Sequence, residues 1–238
     1  MKCNESDEKE REENTSQTPS DDIKDFGISL IKTKRGTIHC LSIIGQIEGH
    51  SLLSSQIKST KYEHILPLLV TIDESESVDG LLVILNTVGG DVEAGLAIAE
   101  MISTMKKPVV SLVLGGGHSI GVPLAVASDY SFIAKSATMT VHPLRLNGQV
   151  IAVSQTYEQF NKIQDRIVDF VVRNSHISKK AFEEIMTNTK ALANDVGTVL
   201  FGEDAVKCGI IDEVGGLKCA TEKLYMLIDK YRQAKSNS

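Results

Sequence analysis

Tryptophan is absent and aromatic residues make up only 5% of the 238 positions, so a core must be assembled from Val, Ile, Leu and Ala. No stretch approaches the roughly 18 consecutive apolar residues of a membrane span. The N-terminus has no basic segment leading into an apolar one, which argues against a secretory signal. Cysteine is scarce: four residues at 3, 40, 208 and 219, with no C-x-x-C pair and no ligand spacing with histidine. They read as buried or surface thiols in a reducing compartment, so a cytoplasmic location is expected and a metal site is not. There is no surplus of basic residues to meet a nucleic acid. There is also no G-x-x-x-x-G-K-[ST] loop, so any ATP dependence would belong to a partner, and no cofactor is expected.

The charge that is present is unevenly placed. Residues 1–25 hold nine acidic and four basic side chains, whereas 26–238 hold 22 and 21, close to balance. The first 25 residues contain almost nothing apolar to bury, so they read as a disordered acidic tail ahead of one domain at 26–238.

From about residue 27 strand and helix signals alternate. Residues 37–44 read as a strand and 51–72 carry helical spacing. Leu81–Leu85 is a continuous apolar run, as expected of a strand buried on both faces, and Pro108–Leu114 reads as the next buried strand. The first run ends at Asn86-Thr87-Val88-Gly89-Gly90, a breaker cluster, and a helix follows over about 92–105. Two short strands are expected near 130–134 and 139–141. The longest helix covers 152–173, with Tyr157, Phe160, Ile163, Ile167, Phe170 and Val171 at three-to-four spacing. Helices near 179–187 and 217–230 complete an α/β pattern with a largely parallel sheet.

The chemistry concentrates in two segments. Gly117-His118-Ser119-Ile120-Gly121 sets a serine between a buried strand and a helix. A tight turn there exposes the hydroxyl, and N–H groups at the helix start can hold an oxyanion. The same pentapeptide is the nucleophile elbow of α/β-hydrolases, but those enzymes run serine, acid, histidine, and no histidine follows His176 here. In Thr140-Val141-His142-Pro143 a histidine sits at a strand end that proline terminates. Ser119 and His142 would then share the C-terminal edge of the sheet, where open α/β sheets build their sites. His142 could take the Ser119 proton and return it to a leaving amine.

Four segments together resemble the ClpP peptidase family. Asn86–Gly95 is similar to its N-S-P-G-G segment, and Gly117–Gly121 to its A-A-S-M-G turn. Met139–Pro143 is similar to its M-I-H-Q-P segment, and Glu203–Asp212 to its S-A-x-E-A-x-x-Y-G-L-(V/I)-D stretch. They occur in the family's order across about 26–216, and within the family the divergent TepA-type group is the nearest likeness. The resemblance implies the ClpP/crotonase fold of repeated ββα units with a protruding handle helix at 152–173. It implies a Ser-His-Asp triad acting on peptides or unfolded protein inside a homo-oligomeric chamber, a heptameric ring or double ring. Oxyanion amides would come from Gly89, Gly90 and Ile120. The acid is expected at Asp195, if the loop before the 203–212 stretch is two residues longer than in the family; without that insertion the matching position is Gly197. Asp129 is the other acid considered, though a turn before a strand accounts for it.

The chain departs from the family at Val88, where proline is usual, and at His118, where alanine is usual. The residues after His142, 143–148, imply an altered substrate edge. The acidic tail is unlike the axial loops that meet an AAA+ unfoldase, so such a partner is doubtful. Two other readings stay open: a catalytically weak scaffold subunit, and another crotonase-fold enzyme. Lys135, the residue a Ser–Lys dyad would need, reads as a surface position.

Overall fold

The computed structural model describes residues 28–145, 152–190 and 196–237. The acidic tail, residues 146–148 of the edge after His142, and Asp195 lie outside the described residues.

Nine strands form one sheet. They are β1 (Ile28–Thr33), β2 (Gly36–Glu48), β3 (Ser59–Lys61), β4 (Gly80–Gly90), β5 (Val109–Gly117), β6 (Tyr130–Ile133), β7 (Thr138–Val141), β8 (Thr198–Phe201) and β9 (Glu213–Val214). Seven helices are described: α1 (Tyr62–Glu74), α2 (Val92–Ser103), α3 (Gly121–Val126), α4 (Val153–Arg173), α5 (Lys179–Met186), α6 (Gly202–Lys207) and α7 (Leu217–Ser236). The order across the sheet is β1-β2-β4-β5-β6-β9, with β3 beside β2 and β7 joining β5 to β8. Pairing is parallel from β2 through β9, whereas β1–β2 and β7–β8 are antiparallel. This is the mixed α/β fold that the alternating pattern implied.

The two apolar runs are central strands covered on both faces. Leu41, Ile43, Leu81, Val83, Leu85 and Val113 face the helices α1 to α5. Ile38, Cys40, Leu82, Val110, Leu112 and Phe132 face α7, through Ala220, Leu224 and Ile228. Each fully buried aliphatic side chain contributes about 1.5–3 kcal/mol, which is how a core without tryptophan suffices.

Three sequence expectations are corrected. The helix expected over 51–72 begins only at Tyr62, because residues 59–61 pair with β2 as β3 and the Thr60 hydroxyl exchanges hydrogen bonds with the Ile44 main chain (3.0 and 2.9 Å). The breaker cluster 86–90 does not lie beyond the strand: β4 continues through it and ends only at Gly90, with Gly89 and Gly90 still in register with Gln46 and Ile47 after a shift at Gly45. The last helix extends to Ser236 rather than stopping near 230. The segment at 203–212 closes the far edge: Asp212 accepts from the Ser131 amide and hydroxyl at 2.7 and 2.6 Å, tying β9 to β6.

His39, on β2, is 9% exposed, and its Nε2 has no hydrogen-bond partner among the described residues. Burial lowers its pKa from the ordinary 6.5. Below pH 6.5 the unfolded chain takes up a proton that the folded chain refuses, so stability falls as the pH drops through that range. His39→Leu is expected to leave the fold intact at pH 7.5. It should make the loss of stability between pH 7 and pH 5 shallower, by at most about 1.4 kcal/mol per pH unit. Urea unfolding at a series of pH values checks this; an unchanged slope would refute it.

Candidate active site

The site lies where the C-terminal ends of β4, β5 and β7 meet. After Gly117 the chain turns through His118 and Ser119 into α3. Ser119 is the one described non-glycine residue with a positive φ, 56°. Such a backbone costs about 1–3 kcal/mol and persists only where its surroundings hold it. Two main-chain bonds do so: His118 N–H donates to the Thr87 carbonyl at 3.1 Å, and Ser119 N–H to the Thr140 carbonyl at 2.8 Å. The Gly121 and Val122 amides donate back to the His118 and Ser119 carbonyls and start α3. The serine is thus pinned between β4 on one side and β7 on the other.

The turn of β4 is braced by Thr87. Its buried hydroxyl donates to the Gly45 carbonyl at 2.7 Å and accepts from Gly89 N–H at 3.0 Å. Gly89, at φ 91°, packs directly behind the nucleophile turn: a methyl group there would lie 2.8 Å from Ser119 Cβ and 2.9 Å from the His118 carbonyl oxygen. Any side chain would push the serine out. With the Gly89 amide engaged by Thr87, Gly90 is the glycine that borders the cavity, together with Ile120.

His142 follows β7 and is half-buried. Its Nδ1–H donates to the carbonyl of the next residue, Pro143, at 2.7 Å. That bond fixes the tautomer and leaves Nε2 with its lone pair, the form a general base needs. Leu144 N–H donates to Gln164 Oε1 at 3.2 Å, which anchors the loop after the histidine to α4. Behind His142 lies Gly197, whose backbone approaches so closely that a Cβ would stand 2.8 Å from His142 Cβ and 2.5 Å from the Val141 carbonyl. The ungapped match of the 203–212 stretch therefore falls on a position that touches His142 but has no side chain. Among the described residues no carboxylate bonds the imidazole.

Ser119 and His142 border one cavity of about 130 Å³ with Gly90 and Ile120. Its walls are Val92, Val122, Pro123, Val141, Ile167, Phe182 and Met186, contributed by α2, α3, β7, α4 and α5, with Gln164 and Arg145 as the polar lining. The hydroxyl and the imidazole share this cavity without a hydrogen bond between them. Such contacts tighten when a substrate enters.

Two other sequence candidates take structural places. Asp129 accepts from Val109 N–H at 2.8 Å and returns its own N–H to the Val109 carbonyl at 3.0 Å, clamping the start of β5. Burial raises its pKa. Lys135 is exposed and pairs with Glu203 at 3.3 Å. Sequence reasoning missed Thr87, Thr140 and Gln164. Their types carry no catalytic signal, and only the contacts give them meaning.

Comparison with known proteins adds what geometry alone does not. A family model for the Clp protease matches residues 34–218. The chain belongs to the Clp protease family. It is 59% identical over 197 residues, 83% of its own length and 77% of the other's, to the translocation-enhancing protein TepA of Halalkalibacterium halodurans. It is 24% identical over 166 residues to an ATP-dependent Clp protease proteolytic subunit of Borrelia garinii, covering 68% of this chain and 81% of that one. The corresponding subunit of Lactococcus lactis is 24% identical over 171 residues, with the same coverage. The chain is thus a ClpP-family, TepA-type protein with a protease-type function.

The brace at Thr87 can be tested without any substrate. Thr87→Val strips the partner from the Gly89 amide and is expected to lower stability by about 1–3 kcal/mol, since buried groups are left unpaired. Thr87→Ser should recover most of it. Denaturant midpoints of the three proteins decide; a valine variant as stable as wild type would mean the hydroxyl is not holding the turn.

Proposed function

We propose that this protein is a serine endopeptidase in which Ser119 attacks the peptide carbonyl and His142 relays the proton. The observation that carries the reading is the strained Ser119 turn opening onto the same cavity as an imidazole whose Nε2 has no hydrogen-bond partner among the described residues. Attack would move the Ser119 proton to Nε2 and charge to the carbonyl oxygen. The amides of Gly90 and Ile120, with Gly89 behind them, would receive that charge. His142 then returns the proton to the leaving amine, and water repeats the sequence on the acyl-enzyme.

Asp195 is proposed as the acid. It stands two residues before Gly197, which touches His142, so no more than about 7 Å of extended chain separates it from that contact. Its carboxylate would replace the Pro143 carbonyl as acceptor for Nδ1–H and stabilise the imidazolium more strongly than a neutral carbonyl can. The apolar cavity walls fit an aliphatic side chain of a peptide or unfolded protein.

Assembly into a ring or double ring is part of the same reading. Only Val168, Phe170 and Val171 of the 21-residue α4 are buried, while Val153 and Tyr157 are 76% and 67% exposed, a helix half left uncovered by the described residues. The described cysteines, 40, 208 and 219, are free thiols, and no described helix is long and apolar enough to cross a membrane, in keeping with action in the cytoplasm. An AAA+ partner finds no support in these features. A scaffold role is the second reading, favoured by one observation: His142 bonds a carbonyl rather than a carboxylate.

Intact-mass analysis after treatment with a fluorophosphonate separates the two. A single adduct is expected on wild type. Its rate should fall by about 10⁴-fold or more in Ser119→Ala and His142→Ala. In Asp195→Asn it should fall by about 10²- to 10⁴-fold. Wild-type protein that takes up no label would sink the peptidase reading in favour of the scaffold. A fully reactive Asp195→Asn would remove Asp195 from the site.

A further inference from the structure

We infer that His118 is a positioning residue that locks the nucleophile turn to the strand carrying the base. The inference rests on the Ser119–His142 reading above.

His118 does not border the cavity, and its imidazole is already engaged: Nδ1 bonds the Thr140 hydroxyl at 2.8 Å. The same Thr140 offers its carbonyl to Ser119 N–H, also at 2.8 Å. One residue of β7 therefore grips the turn twice, by main chain at the serine and by side chain at the residue before it. Thr140 stands two positions before His142, so in an extended chain the two side chains leave on the same face. Sliding the turn along β7, or twisting it, would change the approach of Ser119 to the imidazole. A main-chain bond at Ser119 resists the first motion; the His118–Thr140 bond resists the second.

The neighbouring residues are shaped to this ring. Gly116, buried at the end of β5 and paired with Thr138 of β7, would with a Cβ lie 2.6 Å from His118 Nε2 and 2.7 Å from Cδ2. The imidazole lies directly against bare backbone, and only glycine at 116 leaves room for it. The groups around it, Thr87, Gly116 and Thr140, are uncharged. Burial lowers its pKa, so the ring keeps its neutral form through the neutral range. The Gly-Gly-Gly-His-Ser sequence is thus one arrangement: a glycine cleared for a ring, and a ring aimed at the threonine that holds the serine.

The test is the second-order rate of Ser119 labelling by a fluorophosphonate, on the full chain, with thermal unfolding midpoints recorded for every variant. His118→Ala and Thr140→Val should each slow labelling by about three- to tenfold, the share of one hydrogen bond. The double variant should be no slower than either single one. His118→Asn, whose amide reaches the place of Nδ1, should stay within about twofold of wild type, whereas His118→Gln should not recover the rate. Gly116→Ala should slow labelling in wild type but add nothing to His118→Ala, where the space has been vacated.

Labelling of His118→Ala at the wild-type rate would overturn the inference, as would additive losses in the double variant or a His118→Asn protein as slow as alanine. An absence of labelling in wild type itself is a different result: it overturns the Ser119 reading and the positioning role with it.

Discussion

Two backbone carbonyls, those of Thr87 and Thr140, determine whether this site exists. They receive the amides of His118 and Ser119 and hold the serine at φ 56°, a conformation it would abandon without them. Each carbonyl belongs to a different strand, so the turn is stable only if β4 and β7 keep their spacing to β5. That spacing is set by the parallel ladder, β4 against β5 through Leu81–Val109 to Leu85–Val113, and β7 against β5 at Gly116–Thr138. The apolar runs that fill both faces of the sheet thus do more than stabilise the fold. They fix the distance between the two acceptors that hold Ser119 at its positive φ.

The same strands supply groups of opposite purpose. β4 continues through the breaker cluster as far as Gly90, because the chain stays in register with β2 while presenting bare backbone to the serine turn. β7 ends at Val141, and beyond it the Pro143 carbonyl accepts a hydrogen bond from the imidazole of His142. A strand carried on to its glycines on one side and a strand stopped short on the other place main-chain amides opposite an imidazole with few polar side chains. This suits a cavity whose walls are otherwise apolar.

Much of this was legible in the sequence because it depends on local pattern. Leu81–Leu85 is an unbroken apolar run and Val109–Leu114 is broken only by Ser111, the signature of buried parallel strands. Ser119 and His142 stood out because glycines and a proline punctuate them. The misses have a common cause. Helical spacing over 51–72 was genuine at Ile65, Leu68 and Leu69, but it could not reveal that Thr60 bonds the Ile44 main chain and turns 59–61 into a strand edge. Asp129, by contrast, was already accounted for by a turn before a strand, and it clamps Val109. Thr87, Thr140 and Gln164 carry no signal at all until the strands bring them beside the turn. The position facing His142, just before β8, is Gly197, so the sequence could name Asp195 only through an assumed insertion, and that residue lies outside the described ones.

The helix α4 joins the site to whatever covers its outer face. Its residues Gln164 and Ile167 support the loop after His142 and a wall of the cavity. Arg166 meets both oxygens of Glu93 at 2.7 and 3.1 Å, and Arg173 pairs with Glu100, so α4 is laced to α2, the helix that follows the Gly89–Gly90 turn. These ion pairs are half-exposed and worth no more than about 1 kcal/mol each. Burial of Val168, Phe170 and Val171 anchors only the last turns. The residues that steady the loop after His142 therefore sit on a helix that the described residues secure at one end. A partner packed on Val153 and Tyr157 would secure the other end, and the stiffness it lent would pass through Gln164 to the carbonyl that orients His142.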